Sequence, residues 1–262
     1  FADFAAQSEG SELAARAQLF GVPAAVVGGP APPAVTRQRI GDQDDRVAPR
    51  VADLTSLWAG PTCARLLARA GAYVVKIESS ARPDGARRGH AGFYDWLHRE
   101  AEEAAFDFTT EDGRAALRAE LDQADVVLES SRPRALRQLG VRAEDWLAAR
   151  PGRVWLSLGG YARDEPDPGR VAFGDDAAAA GGLVAYEPDG DGTPLFVGDA
   201  IADPLSGIKA ARAVAEALRR GGGELIHVSL AGVAADVVAR YPMPSHATVP
   251  GATPPQLPKP DI

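Results

Sequence analysis

Residues 51–78 read VADLTSLWAGPTCARLLARAGAYVVKIE, and their reading decides the architecture. The runs 51–54 and 73–78 are short, apolar and partly β-branched, as strands buried on both faces are. After Gly60-Pro61 a helix-like run leads to a stop at Gly71. The unit is β-α-β, which sets two parallel strands under a crossover helix. Its first turn, S-L-W-A-G-P-T at 56–62, lacks the G-x-G-x-x-G that lets a backbone approach a pyrophosphate. No P-loop lysine follows it. The rhythm is Rossmann-like, yet the turn argues against a nicotinamide cofactor.

The bulk properties narrow the partners. The chain has 262 residues, is 45% hydrophobic and 24% charged, and carries a formal net charge of −8. That field does not attract nucleic acid or anionic membrane. No run of about 18 apolar residues is present to span a bilayer. One cysteine, Cys63, excludes an internal disulfide framework and fits a reducing cytoplasm. The start shows no signal-peptide pattern. The first residue is Phe1 and the only methionine is Met243, so the chain is expected to be processed, cut or part of a longer polypeptide.

Outward from 51–78, strands and helices alternate. Strands are expected at 124–130, 153–160 and 224–230. Helices are expected at 8–20, 109–121 (opened by Thr109-x-x-Asp112), 132–140, 142–150, from Asp175-Asp176 to Gly181, and 202–220. GVPAAVV (21–27) reads as a short strand, and 28–50 as a Gly/Pro-rich linker. Gly221-Gly222-Gly223 reads as a turn. The expected fold is α/β: a Rossmann-like parallel sheet with helices on both faces. Such a sheet places its ligand beyond the carboxyl ends of its strands. Residues 57–61, 79–88, 130–134 and 159–176 gather there. The tail, 241–262, is dense in proline and reads either as disorder or as an extended arm over a partner subunit.

Seven ordered segments resemble one family. V-x-D-L-T-x-L-x-A-G-P-x-C-x-x-L-L-A-x-x-G-A-x-V-V-K-I-E is followed by R-P-D-G-A-R-R-G, T-x-E-D-G-R-A-A-L and A-D-V-V-L-E-S-S-R-P-R-A-L-R-Q-L-G. V-W-L-S-L-G-G-Y comes next, then G-D-A-I-A-D-P-L-S-G and G-G-E-L-I-H-V-S-L. Over residues 50 to 240 the chain is similar to the family III CoA-transferases, the CaiB/BaiF group. The resemblance implies that a coenzyme A chain passes over the small-residue turn. Leu57, Trp58 and Ala59 would touch its pantetheine or adenine end. Arg88, with Arg82 or Arg87, would meet phosphates, Ser130, Ser131 and Arg132 the nucleotide, and Ser79 would also bind the cofactor. It also implies acyl-CoA and carboxylic acid substrates, no metal, and an intertwined homodimer for which the proline tail and early linker would serve as clasps.

The resemblance further implies an aspartate nucleophile. It would attack the donor thioester, form a mixed anhydride, and then an aspartyl-CoA thioester. The matching stretch is R-V-A-F-G-D-D-A-A-A-A-G-G-L (170–183). A gapless match puts Gly174 at the nucleophile's place; a one-residue shift restores Asp175. The expected nucleophile is Asp175, with Asp176 the alternate. Either could instead cap the alanine helix.

The chain departs from the family pattern in two places. L-H-R-E-A-E-E-A-A-F-D-F (97–108) carries Ala101, Glu102 and Glu103 where a basic segment is usual, which weakens the expectation of phosphate contacts there. The N-terminal segment resembles E-L-x-x-R-x-x-x-x-G-V-P-A-x-x-V, normally found near the end of such chains. Residues 1–49 are therefore expected to be a remnant of the family's small domain, 50–240 the large domain and 241–262 the tail. Two alternatives to transfer are open: a racemase-type enzyme, for which no histidine lies between 99 and 226, and a non-catalytic CoA-binding relative. His227, in a strand, reads as a packed core residue.

Overall fold

The computed structural model describes residues 7–44, 48–164, 169–187 and 193–241. The proline-rich stretch from 242 onward lies outside them. α1 (Gly10–Leu19) and β1 (Val35–Arg39) precede β2 (Arg50–Leu54), α2 (Ala59–Arg69) and β3 (Tyr73–Ser79). A short 3₁₀ turn (Gly85–Arg88), α3 (Ala91–His98) and β4 (Ala101–Phe106) follow. Next come α4 (Glu111–Gln123), β5 (Val126–Glu129), α5 (Pro133–Gln138), α6 (Ala143–Ala149) and β6 (Val154–Gly159). The last elements are α7 (Gly174–Ala180), β7 (Val184–Tyr186), β8 (Pro194–Phe196), α8 (Ala202–Arg219), β9 (Glu224–Ser229) and α9 (Leu230–Arg240).

The main sheet has seven strands in the order β1-β9-β6-β5-β2-β3-β4. All its pairs are parallel except β1 with β9. The chain winds outward from β2 through β3 to β4, then returns to β5 on the other side and winds through β6 to β9. This is the doubly wound order, and its direction reverses between β2 and β5.

Alternation along the strands builds two cores. Val51, Val74, Val126, Val154 and Ile226 face α2, α7, α8 and α9. Ala52, Val75, Val127, Trp155 and Leu225 face the side that holds Leu117 and Leu121 of α4 and Leu147 of α6. Helices and strands therefore bury apolar residues on both faces, as the continuous hydrophobic runs required.

Several details differ from the sequence reading. Residues 21–27 form no strand; Pro23 removes a donor, and the segment is held instead by the Gln18 side chain, which donates to the Ala24 carbonyl at 3.1 Å. The 28–50 stretch is not all linker, because Val35–Arg39 closes the sheet edge against β9. The cap of α4 is Thr110, not Thr109; its hydroxyl accepts from the Gly113 N–H at 3.0 Å. Gly113 is required there, since a Cβ would lie 1.9 Å from the Asp107 carbonyl oxygen. α3, β4 and α9 were not anticipated.

Candidate functional site

The site begins at the turn after β2. Leu57 has φ +69°, a left-handed conformation that costs a branched side chain energy. The surroundings over-determine it. Both oxygens of Asp84 accept from the Leu57 N–H, at 3.1 and 3.2 Å. Asp84 also accepts from the Ala86 N–H at 2.9 Å, capping the 3₁₀ turn. Its charge is matched by Lys76 of β3, fully buried, with Nζ 3.0 Å from Oδ2. Lys76 donates as well to the Thr55 carbonyl. One buried ion pair thus shapes the loop after β2 and the loop after β3 together.

The small residues of the turn have a packing cause. A Cβ on Gly60 would lie 2.1 Å from the Thr55 side chain, and one on Gly207 would lie 2.5 Å from the Ala59 carbonyl oxygen. α8 therefore lies directly against the start of α2. No side chain caps α2, so its first turn leaves backbone donors for an anion.

Above this turn lies a cavity of about 960 Å³ at the reversal point of the sheet. That is near the top of the range of about 300–1,000 Å³ for small-molecule sites. Leu57, Trp58, Ala59, Ser79, Arg82, Arg88, Ser130, Ser131 and Arg132 all border it. Five arginines border it (82, 88, 132, 163 and 170) against three acids, Glu78, Asp84 and Asp203. Two of those acids are matched by Arg87 and Lys76, so the local field favours an anion although the whole chain is acidic.

Arg87 is occupied elsewhere. It pairs with Glu78 at 2.9 Å and Glu103 at 2.9 Å, and stacks on Tyr94 at 4.4 Å. Burial works to raise Glu78, but Arg87, the Asp84 N–H, Lys76 and Tyr94 outweigh it and hold Glu78 down at about 2. The acidic segment expected to weaken phosphate binding is β4, an edge strand that does not border the cavity. Glu103 there serves Arg87 and the Tyr94 hydroxyl.

The far wall comes from β6, residues 159–163 and 170–173, and α8. Arg170 stacks over the Tyr161 ring at 3.6 Å. His227 borders the cavity as well as being buried; its Nε2 lies 2.7 Å from the Tyr161 carbonyl oxygen, and burial pushes its pKa down. The Gln18 amide donates to the Val171 carbonyl and accepts from the Val171 N–H, both at 2.8 Å, tying α1 to this wall.

Asp175 and Asp176 sit in the first turn of α7, beside the cavity and not among the residues bordering it. Asp175 Oδ1 accepts from the Ala200 N–H at 2.7 Å. Asp176 Oδ1 accepts from the Phe173 N–H at 2.6 Å, while its Oδ2 is buried without a partner. The acid that does border the cavity here is Asp203, in the first turn of α8. Burial, then the charges of Asp175, Asp176 and Asp199, raise Asp203 to about 7. The sequence reading passed over it; its signal was an Asp-Pro pair at a helix start within G-D-A-I-A-D-P-L-S-G. Among the described residues no group of three or more His, Cys, Asp or Glu side chains is placed to hold a metal ion.

Comparison with known proteins places this geometry in context. The model of CoA-transferase family III matches residues 49–259. The chain is 30% identical over 192 residues to the succinyl-CoA–D-citramalate CoA-transferase of Chloroflexus aurantiacus, covering 69% of this chain and 48% of that protein. It is 27% identical over 211 residues to the succinate–glutarate CoA-transferase of Agrobacterium fabrum, covering 74% and 53%. The crystal structure of a hypothetical protein from Mycobacterium tuberculosis superposes with a TM-score of 0.67 at 28% identity, covering 78% of this chain and 58% of that one. A CaiB/BaiF family protein from Brucella suis gives 0.66 at 27%, covering 73% and 54%. The chain spans about half the length of the curated relatives it matches.

Proposed function

We propose that this chain, which belongs to CoA-transferase family III, binds an acyl-CoA in the cavity above β2 and β5 and transfers CoA to a carboxylic acid. One observation carries the reading. The turn, the 3₁₀ turn and the 130–132 loop, which the sequence marks as CoA contacts, border one cavity whose far wall carries the carboxylate of Asp203. Arg82, Arg88 and Arg132 receive the phosphates; Leu57, Trp58 and Ala59 carry the apolar arm.

One of three neighbouring aspartates, Asp203 at the cavity wall or Asp175 and Asp176 behind it, supplies the acyl acceptor. A carboxylate oxygen attacks the thioester carbonyl, the C–S bond breaks, and CoA leaves as thiolate. The thiolate attacks the aspartyl carbonyl of the mixed anhydride and releases the donor acid. The acceptor carboxylate then attacks the aspartyl-CoA thioester, and the returning thiolate frees the aspartate and forms the new acyl-CoA. The protein works in this reading as a homodimer in the cytoplasm.

The test is exchange. The chain, with succinyl-CoA and isotope-labelled glutarate, should yield labelled glutaryl-CoA by mass spectrometry. Failure of every dicarboxylate and monocarboxylate acceptor to form a new thioester, with CoA still bound by calorimetry, would leave the second reading, CoA binding without transfer. The observation favouring that reading is the closed packing at Gly174, where a Cβ would meet the Ala200 carbonyl oxygen at 2.4 Å.

A further inference from the structure

The start of α7 admits no side chain at Gly174. An added Cβ would lie 2.4 Å from the Ala200 carbonyl oxygen and 2.6 Å from its carbon, both backbone atoms. The position that the gapless family match gives to the nucleophile is therefore filled by the chain itself.

The neighbouring acids are used in holding backbone. Asp176 reaches back to the Phe173 N–H, and Asp175 takes the Ala200 N–H. Ala200 has φ +45° and is held from both sides, because its carbonyl also accepts from the Asp203 N–H at 2.9 Å. Asp175 thus fixes the loop that starts α8, and that loop delivers Asp203 to the cavity wall.

Asp203 lies one helical turn before Gly207, the residue that touches the Ala59 carbonyl. Residues i and i+4 share a helix face. The Asp203 side chain therefore stands on the face of α8 that meets the start of α2, where Leu57, Trp58 and Ala59 border the cavity. Its carboxylate has no hydrogen-bond or ion-pair partner among the described residues, and what surrounds it electrostatically is three further aspartates.

We infer that Asp203 is the carboxylate that accepts the acyl group in this chain, with Asp175 and Asp176 positioning the loop and helix that present it. The inference rests on the transferase reading above. An Asp203 oxygen attacks the thioester carbonyl carbon; the C–O bond forms, the C–S bond breaks, and the electron pair leaves on the CoA sulfur. The thiolate then attacks the Asp203 carbonyl, the donor acid departs as carboxylate, and Asp203 is left as the CoA thioester. Burial and the neighbouring charges raise its basicity, which makes the ionised form a better nucleophile.

The test is trapping followed by mapping. The full chain is incubated with succinyl-CoA, quenched with hydroxylamine and digested with trypsin. Residues 171–209 form one tryptic peptide that carries Asp175, Asp176, Asp189, Asp191, Asp199 and Asp203, so fragment ions must assign the hydroxamate. The expected result is a hydroxamate on Asp203, lost in Asp203→Asn and still on Asp203 in Asp175→Asn. A hydroxamate on Asp175 or Asp176 overturns the inference and leaves the transferase reading standing. No aspartyl hydroxamate on any residue, together with no thioester exchange, overturns both. Mapping on the unmutated chain keeps the answer independent of whether a variant folds.

Discussion

Replacing Asp203 by asparagine removes a cavity acid whose pKa burial and neighbouring charges raise well above the ordinary carboxylate value. Its stability effect follows from linkage. Burial first, then Asp175, Asp176 and Asp199, raise the group from 3.8 to about 7. Between those values the folded chain keeps a proton that the unfolded chain has released. The folded state then binds more protons than the unfolded one, so stability falls as pH rises. The penalty is absent below about pH 4, grows up to about pH 7 and is constant above. A shift of about 3 units at about 1.4 kcal/mol each gives about 4 kcal/mol at most, and partial solvation trims it to about 2–4 kcal/mol. Asparagine has nearly the same shape and cannot ionise. The assay is thermal melting of parent and Asp203→Asn from acid to mildly alkaline pH. The two should melt together near pH 4 and separate as pH rises, the variant gaining roughly 5–15 °C above neutrality for a domain of this size. Melting curves that stay parallel across the whole range, with equal pH dependence, would refute the buried-carboxylate argument.

Other consequences can be measured separately. Lys76→Met leaves the Asp84 charge buried without its partner and should cost about 3–5 kcal/mol in urea unfolding; a companion Asp84→Leu change should restore part of it. Gly60→Ala forces a methyl to within 2.1 Å of Thr55 and should destabilise by about 1–3 kcal/mol by denaturant midpoint, a gain in stability being the contrary result. Arg88→Ala should weaken CoA binding by about 1.5–3 kcal/mol in calorimetry, with a smaller salt dependence than the parent; unchanged affinity would remove Arg88 from the phosphate site. Transfer, if Asp203 must ionise, should rise with pH through the region near 7, and a rate that falls there would oppose the assignment.

Much of this architecture was legible because period and punctuation agree. The run 51–78 has apolar residues on both faces of each strand, Val51 and Ala52 in the first and Val74 and Val75 in the second, with Gly71 between them, as a β-α-β unit has. The cavity's bordering residues were legible for a topological reason: loops after parallel strands meet where the strand order reverses. What was hidden depends on distance in the chain. β1, V-T-R-Q-R, has no apolar pattern of its own and becomes a strand through its pairing with β9, nearly 190 residues away. α9 begins where β9 ends, with Ser229 closing one and capping the other, so no turn residues mark the change. The role of Asp84 could not be read locally either, since its partners Leu57 and Lys76 come from other elements. The doublet Asp175-Asp176 attracted attention as a pair of acids on an alanine helix. Its hydrogen bonds to Ala200 and Phe173 are tertiary facts that spacing does not encode.

The Leu57–Asp84–Lys76 linkage has a kinetic consequence. The amide of Leu57 is anchored to a charge pair inside the central sheet, so this turn cannot open by loop breathing alone. Its proton should exchange with deuterated solvent only when β3 separates from its neighbours, in the slowest class of amides in the chain. The floor of the cavity is in that sense ready-made before any ligand arrives, and accommodation of different occupants falls to the exposed arginine-bearing loops at its mouth.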